Sequence, residues 1–230
     1  MKNRLWTAAI AILPAVVVLA FSTSLANPFK TVKLCLLGLM TLAFLAGVSR
    51  RPAVSLRLSL PFATALLFLL WRCICLSSPA CVNVWEGLMA CALPSLGILL
   101  FFSGSSLLDE RSFYTLLAGL VCAGAAAGAY GILQFIGIDV IRWDMPWTAT
   151  STFGRSNFTG EYAAAVLPLS LACTAAFTGK ARRWSIAASI LTATSLIVTF
   201  SRASWVAGAV SVAAFAAAVS FRPRGRAAAA

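Results

Sequence analysis

The chain has 230 residues, 61% of them hydrophobic and only 10% charged, with a net charge of +12. Soluble domains carry about 25% charged residues, so this balance, with repeated apolar runs near membrane-spanning length, excludes a water-soluble globular domain. The basic residues sit in short clusters between apolar runs, which fits membrane orientation; no nucleic-acid-binding motif accompanies them, so DNA and RNA are excluded as partners.

In chain order the apolar runs predict spans at about 5–21, 31–48, 58–76, 85–103, 113–136, 158–178, 184–200 and 203–221. The fold class expected is therefore all-α: a single polytopic transmembrane bundle of about eight spans over 1–230, with the lipid bilayer as solvent. Lys2 and Arg4 precede the first run, and "SLA" at 24–26 resembles a signal-peptidase site. We read a retained first span, with a cleaved signal peptide as the alternative. Pro14, Pro61, Pro94 and Pro168 lie in or near span starts, where each can bend a helix and free a carbonyl. In "GAAAG", Gly124 and Gly128 share one face and predict close helix packing. The longest connection, 137–157, holds Asp139, Arg142, Trp143, Asp144, Trp147 and Arg155. From Trp184 to Phe221 there are 38 residues with Arg202 the single charge. One helix of that length would measure about 57 Å against a hydrocarbon core of about 30 Å, so the chain must turn near "FSRAS".

Orientation follows from charge. With the N-terminus in the cytoplasm, Lys2, Arg4, Arg50, Arg51, Arg57, Arg111, Lys180, Arg182, Arg183, Arg222, Arg224 and Arg226 lie inside. Lys30, Lys33, Arg72, Arg142, Arg155 and Arg202 lie at the outer edge. The inner excess predicts an N-in, C-in arrangement. The cysteines at 35, 73, 75, 81, 91, 122 and 173 fall mostly within spans and act as small hydrophobes. With no histidine and no second cysteine pair at zinc spacing, no metal site and no cofactor is expected. A Cys75–Cys81 bridge outside the membrane stays open as an alternative.

The polar candidates cluster at the outer edge. Asn157 is expected to cap the sixth span, and Glu161 to sit in its first turn, where the helix dipole favours an acid. Arg155 beside that helix start is not explained by capping; a bound anion would reconcile it with the dipole. Arg202 and Lys33 add positive charge on the same side. The plain alternatives are an interfacial loop with local ion pairs and snorkelling of Arg202 to lipid headgroups. A cationic pocket at this surface suits the diphosphate of a lipid carrier.

"STFGRSNFTGEYAAAVLPLSLA", with Gly154, Asn157 and Phe158 opening a span and "LPL" following, resembles the O-antigen ligase/polymerase family. "VTFSRASWVAG" is similar to its Ser–Arg segment, here Ser201 and Arg202; "NPFKTVKLCLLG" to its early Pro/Lys segment; and "YGILQFIGI" to its Gln-containing stretch before the long outer loop. The matches are short, but their order covers most of 27–210. The resemblance implies a polytopic glycosyltransferase of lipopolysaccharide biosynthesis in the bacterial inner membrane. Such a protein moves a glycan from undecaprenyl diphosphate to an acceptor hydroxyl at the periplasmic face. It implies diphosphate binding by Arg202, Arg155 and Lys33, with Gly154, Asn157, Glu161 and Ser201 supporting the pocket. It also brings a departure: the family's C-terminal half carries a histidine-bearing loop, and this chain has no histidine. We therefore assign no catalytic residue, Glu161 and Asp144 included. We expect a truncated version of the larger fold, inactive alone: an N-terminal fragment, a split subunit that pairs with a C-terminal partner half, or a decayed copy. A non-catalytic membrane subunit and a small transporter are the alternatives.

Overall fold

Within the described residues the long apolar runs fold as helices, which satisfy backbone groups inside a single segment without water. The computed structural model describes residues 12–13, 15–22, 29–49, 60–77, 83–139 and 149–221. Among them, every regular element is helical. The first helix, α1, is described over 12–13 and 15–19. It is followed by α2 (Lys30–Ser49), α3 (Leu60–Leu76), α4 (Val84–Leu107) and α5 (Glu110–Phe135). A 3-10 turn (Ser151–Phe153) then leads into α6 (Ser156–Ala176), α7 (Gly179–Val198) and α8 (Arg202–Ser220). From α2 onward these helix bounds lie within about five residues of the apolar runs. Most of 5–21, the loop residues Arg142, Trp143, Asp144 and Trp147, and Cys81 lie outside the described residues. Cys75 is a free thiol; the bridge left open above involves Cys81 and lies outside the described residues.

Among the described residues, three helices are long and apolar enough to cross a membrane: Thr31–Ser49, Glu110–Phe135 and Arg202–Ser220. Burial points the same way. The largest side chains with essentially no exposure are Thr41, Thr192 and Thr199, then Cys173 and serines such as Ser103, Ser151, Ser195 and Ser204. Large apolar groups face outward instead, among them Leu67, Trp71, Ile190 and Val206. A water-soluble core would invert this order. Packing through small and hydroxyl-bearing residues, with Leu and Ile turned out, is how helices associate in lipid.

The described residues form two compact units. One holds the chain up to Lys30 together with Tyr114 onward; the other is Thr31–Phe113. In the second unit α3 packs on α4, with the Phe62 and Phe102 rings 6.0 Å apart. In the first unit α6 is the central helix, lying against both α7 and α8. Ala163, Ala164, Leu167 and Leu196 make the apolar part of that contact. Gly124 and Gly128 pack as the sequence predicts. A Cβ on Gly124 would stand 2.6 Å from Val166 Cγ1, and one on Gly128 would stand 3.2 Å from the Leu191 carbonyl oxygen. Pro168 lies inside α6 and cannot donate to the carbonyl of Ala164. Ser211 of α8 donates to that carbonyl instead, at 3.0 Å.

The turn expected at "FSRAS" is present. Helix α7 ends at Val198, and α8 begins at Arg202 after Phe200 takes a left-handed φ of 52°. Helices α6, α7 and α8 have 21, 20 and 19 residues, or about 28–32 Å each. The starts of α6 and α8 thus share one end of the unit, and the start of α7 lies at the other.

Candidate functional site

The common end of α6 and α8 is assembled around residues 149–155. Ala149, Thr150, Ser151 and Thr152 are all buried, and each side-chain hydroxyl among them has a distant partner. Gln134, near the end of α5, accepts hydrogen bonds through Oε1 from the Ser151 N–H and the Thr150 hydroxyl. The Ser151 hydroxyl donates to the Ala127 carbonyl at 2.6 Å. That of Thr152 donates to the Val18 carbonyl at 2.7 Å. From α6, the Thr159 hydroxyl reaches back to the Thr150 carbonyl at 2.6 Å. These bonds hold Ser151 at a φ of 47°, a conformation uncommon outside glycine that persists only where its surroundings over-determine it.

The chain then turns through Gly154, whose φ of 73° is left-handed and whose missing Cβ leaves room for the Phe29 ring. Arg155 follows in extended conformation as the N-cap of α6. This corrects two expectations. Asn157 does not cap the helix: it is the second helical residue, and the cap is Arg155, which makes no side-chain cap hydrogen bond. Nor is Glu161 in the first turn, which holds no acid. The reason is tertiary. Thr159, bound to both ends of the turn before it, sets the helix start two residues earlier than asparagine's capping preference would.

Helix α8 begins beside α6. Ser201 is its N-cap and accepts from the Ser204 N–H at 3.4 Å. The Ser204 hydroxyl lies 2.8 Å from Ser201 Oγ and 3.3 Å from the Asn157 carbonyl. A Cβ on Gly160 would stand 2.5 Å from Ser204 Oγ, so the two backbones meet with no spare volume. Trp205 donates its indole N–H to the Leu196 carbonyl at 2.9 Å, closing the α7–α8 turn.

Two cations stand on this frame. Arg155 ends the 149–155 segment, Arg202 is the first residue of α8, and both are exposed. Among the described residues neither guanidinium is paired with a carboxylate, and the exposed Glu161 makes no ion pair. Gly154, Asn157, Glu161 and Ser201 all lie at this end, Ser201 buried within it. Lys33 is the fourth residue of α2, in the second unit, half-buried and engaged by other groups. The site has two guanidinium forks and a helix start whose cap donates and accepts nothing through its side chain. Such a set can hold an oxyanion by charge-assisted hydrogen bonds.

Residues that sequence reasoning missed are those of the frame: Gln134, Thr150, Thr159 and Ser204. Gln134 carried a usable signal, because a lone amide within an apolar helix must find partners. Its Nε2, and the hydroxyl of Ser195, are buried without a hydrogen-bond partner among the described residues. Scans against protein-family models, curated proteins and solved structures each return no match.

Proposed function

We propose that this protein is an O-antigen ligase/polymerase-like membrane protein that binds an undecaprenyl-diphosphate-linked glycan at the periplasmic face of the bacterial inner membrane. The observation that carries the reading is the pair of exposed guanidiniums, Arg155 and Arg202, unpaired with any carboxylate among the described residues and set at adjoining helix starts on a buried polar frame. We assign Arg202 and Arg155 to the diphosphate, in an N-in, C-in bundle of about eight spans. In the reaction such a site serves, the bond between the anomeric carbon and the diphosphate oxygen breaks. The acceptor oxygen bonds to that carbon and gives up its proton. Polyprenyl diphosphate departs with the electron pair, and positive charge at its oxygens lowers the barrier. The residues assigned here supply that electrostatic part; no group of this chain is assigned as base.

The test is photo-crosslinking with an undecaprenyl diphosphate probe in membranes, parent against Arg202→Ala. Labelling should fall about tenfold or more, the range for a charge-assisted contact worth about 1.5–3 kcal/mol. Equal labelling would overturn the assignment. Transfer activity on a lipid-linked glycan separates the enzyme reading from a non-catalytic subunit, which would bind the carrier without turnover.

A further inference from the structure

We propose that Lys180, Arg182, Arg183 and Trp184, at the start of α7, bind the headgroup of an anionic phospholipid at the end of the first unit away from Arg155 and Arg202. All four are exposed, Trp184 at 75%. Among the described residues no carboxylate pairs with the three cations. Helical register sets Lys180, Arg183 and Trp184 on one side, three and four residues apart. One phosphodiester can therefore meet an ammonium and a guanidinium fork together, with the indole beside them.

Position decides the class of partner. Helix α6 has 21 residues, which puts this cluster about 31 Å from Arg155, close to the thickness of a hydrocarbon core. No charged residue lies in 184–201. The stretch after the cluster exposes Ile186, Ile190 and Ile197, an apolar flank suited to acyl chains. Tyr114 and Phe177 pack at the same end with ring centroids 6.3 Å apart, and aromatic groups favour the headgroup level. A free phosphate or an acidic peptide would use the cations but not that flank. A phospholipid uses both.

The experiment places the full chain in nanodiscs of mixed phosphatidylglycerol and phosphatidylcholine and counts retained lipids by native mass spectrometry. In K180Q/R182Q/R183Q, phosphatidylglycerol retention should fall by about five-fold for each cation removed, with phosphatidylcholine unchanged. The charge-keeping variant K180R/R182K/R183K should retain it. Should the triple variant not fold by circular dichroism, Arg182→Gln and Arg183→Gln singly must each show a partial loss. Unchanged retention in the neutral variants, or equal retention of both lipids by the parent, overturns the proposal. Undecaprenyl diphosphate probe labelling should be the same in K180Q/R182Q/R183Q as in the parent, which keeps this result separate from the diphosphate reading; a parallel loss of labelling in that variant also overturns the proposal.

Discussion

The start of α5 and the start of α6 meet the same backbone problem with opposite charge. At α5, Asp109 accepts the Ser112 N–H at 2.9 Å, and Glu110 sits in the first turn, the arrangement the helix dipole favours. At α6 the cap is Arg155, without a side-chain cap hydrogen bond and with no acid in the first turn. The α6 start is not loosely built: Gln134, Ser151, Thr152 and Thr159 tie it into the unit through buried bonds. A helix end that is well held yet electrostatically unfavourable is where a bound anion would restore balance. That contrast, more than either arginine alone, is the argument for a site.

The contrast can be broken by removing the frame. Gly160→Val would drive a side chain into Ser204, whose Oγ would be 2.5 Å from the new Cβ; overpacking of this kind costs about 1–3 kcal/mol. We expect the largest loss of thermal stability in detergent here, together with loss of probe labelling. Gln134→Leu leaves the buried Ser151 N–H unpaired and should cost about 1–3 kcal/mol, read from the same melt.

Arg155→Asp sharpens the comparison. Placing an acid at the α6 cap should raise stability by about 1 kcal/mol while carrier labelling falls. A variant that loses labelling without gaining stability would show that the dipole argument is wrong. The smallest effect belongs to α5. Hydrogen bonds from Ser112 hold the Asp109 carboxyl below its ordinary value. Its contribution is thus full above the ordinary carboxylate pKa and is lost as pH falls through the lower folded value. The melting midpoint of Asp109→Ala should lie slightly below the parent's at neutral pH, and the gap should close on acidification below about pH 4. A gap that is constant with pH would remove the cap.

The sequence carried the helices well because their signal is local. Apolar runs give lengths, and the sole charge between Trp184 and Phe221 located the turn before α8. Small-residue faces were also readable: Gly124 and Gly128 touch α6 and α7 as their spacing implied. The cap of α6 was not readable. Asparagine's intrinsic preference pointed to Asn157, whereas Thr159 and Gln134 decide the geometry through bonds to partners 9 and 17 residues away. Ser204 meets the Asn157 carbonyl across 47 residues, and no periodicity reveals that. Both arginines could be picked out as anomalies in the sequence, but the buried polar frame beneath them could not.

The Ser211 contact to the Ala164 carbonyl has a consequence for assembly. Pro168 leaves the Ala164 carbonyl of α6 without its ladder donor, and a donor arrives from Ser211, 47 residues after Ala164, on α8. During synthesis α6 must therefore wait, with an open oxygen in its middle, until the last helix of the hairpin docks. Maturation of the arginine-bearing end is thereby linked to arrival of the very segment that supplies Arg202.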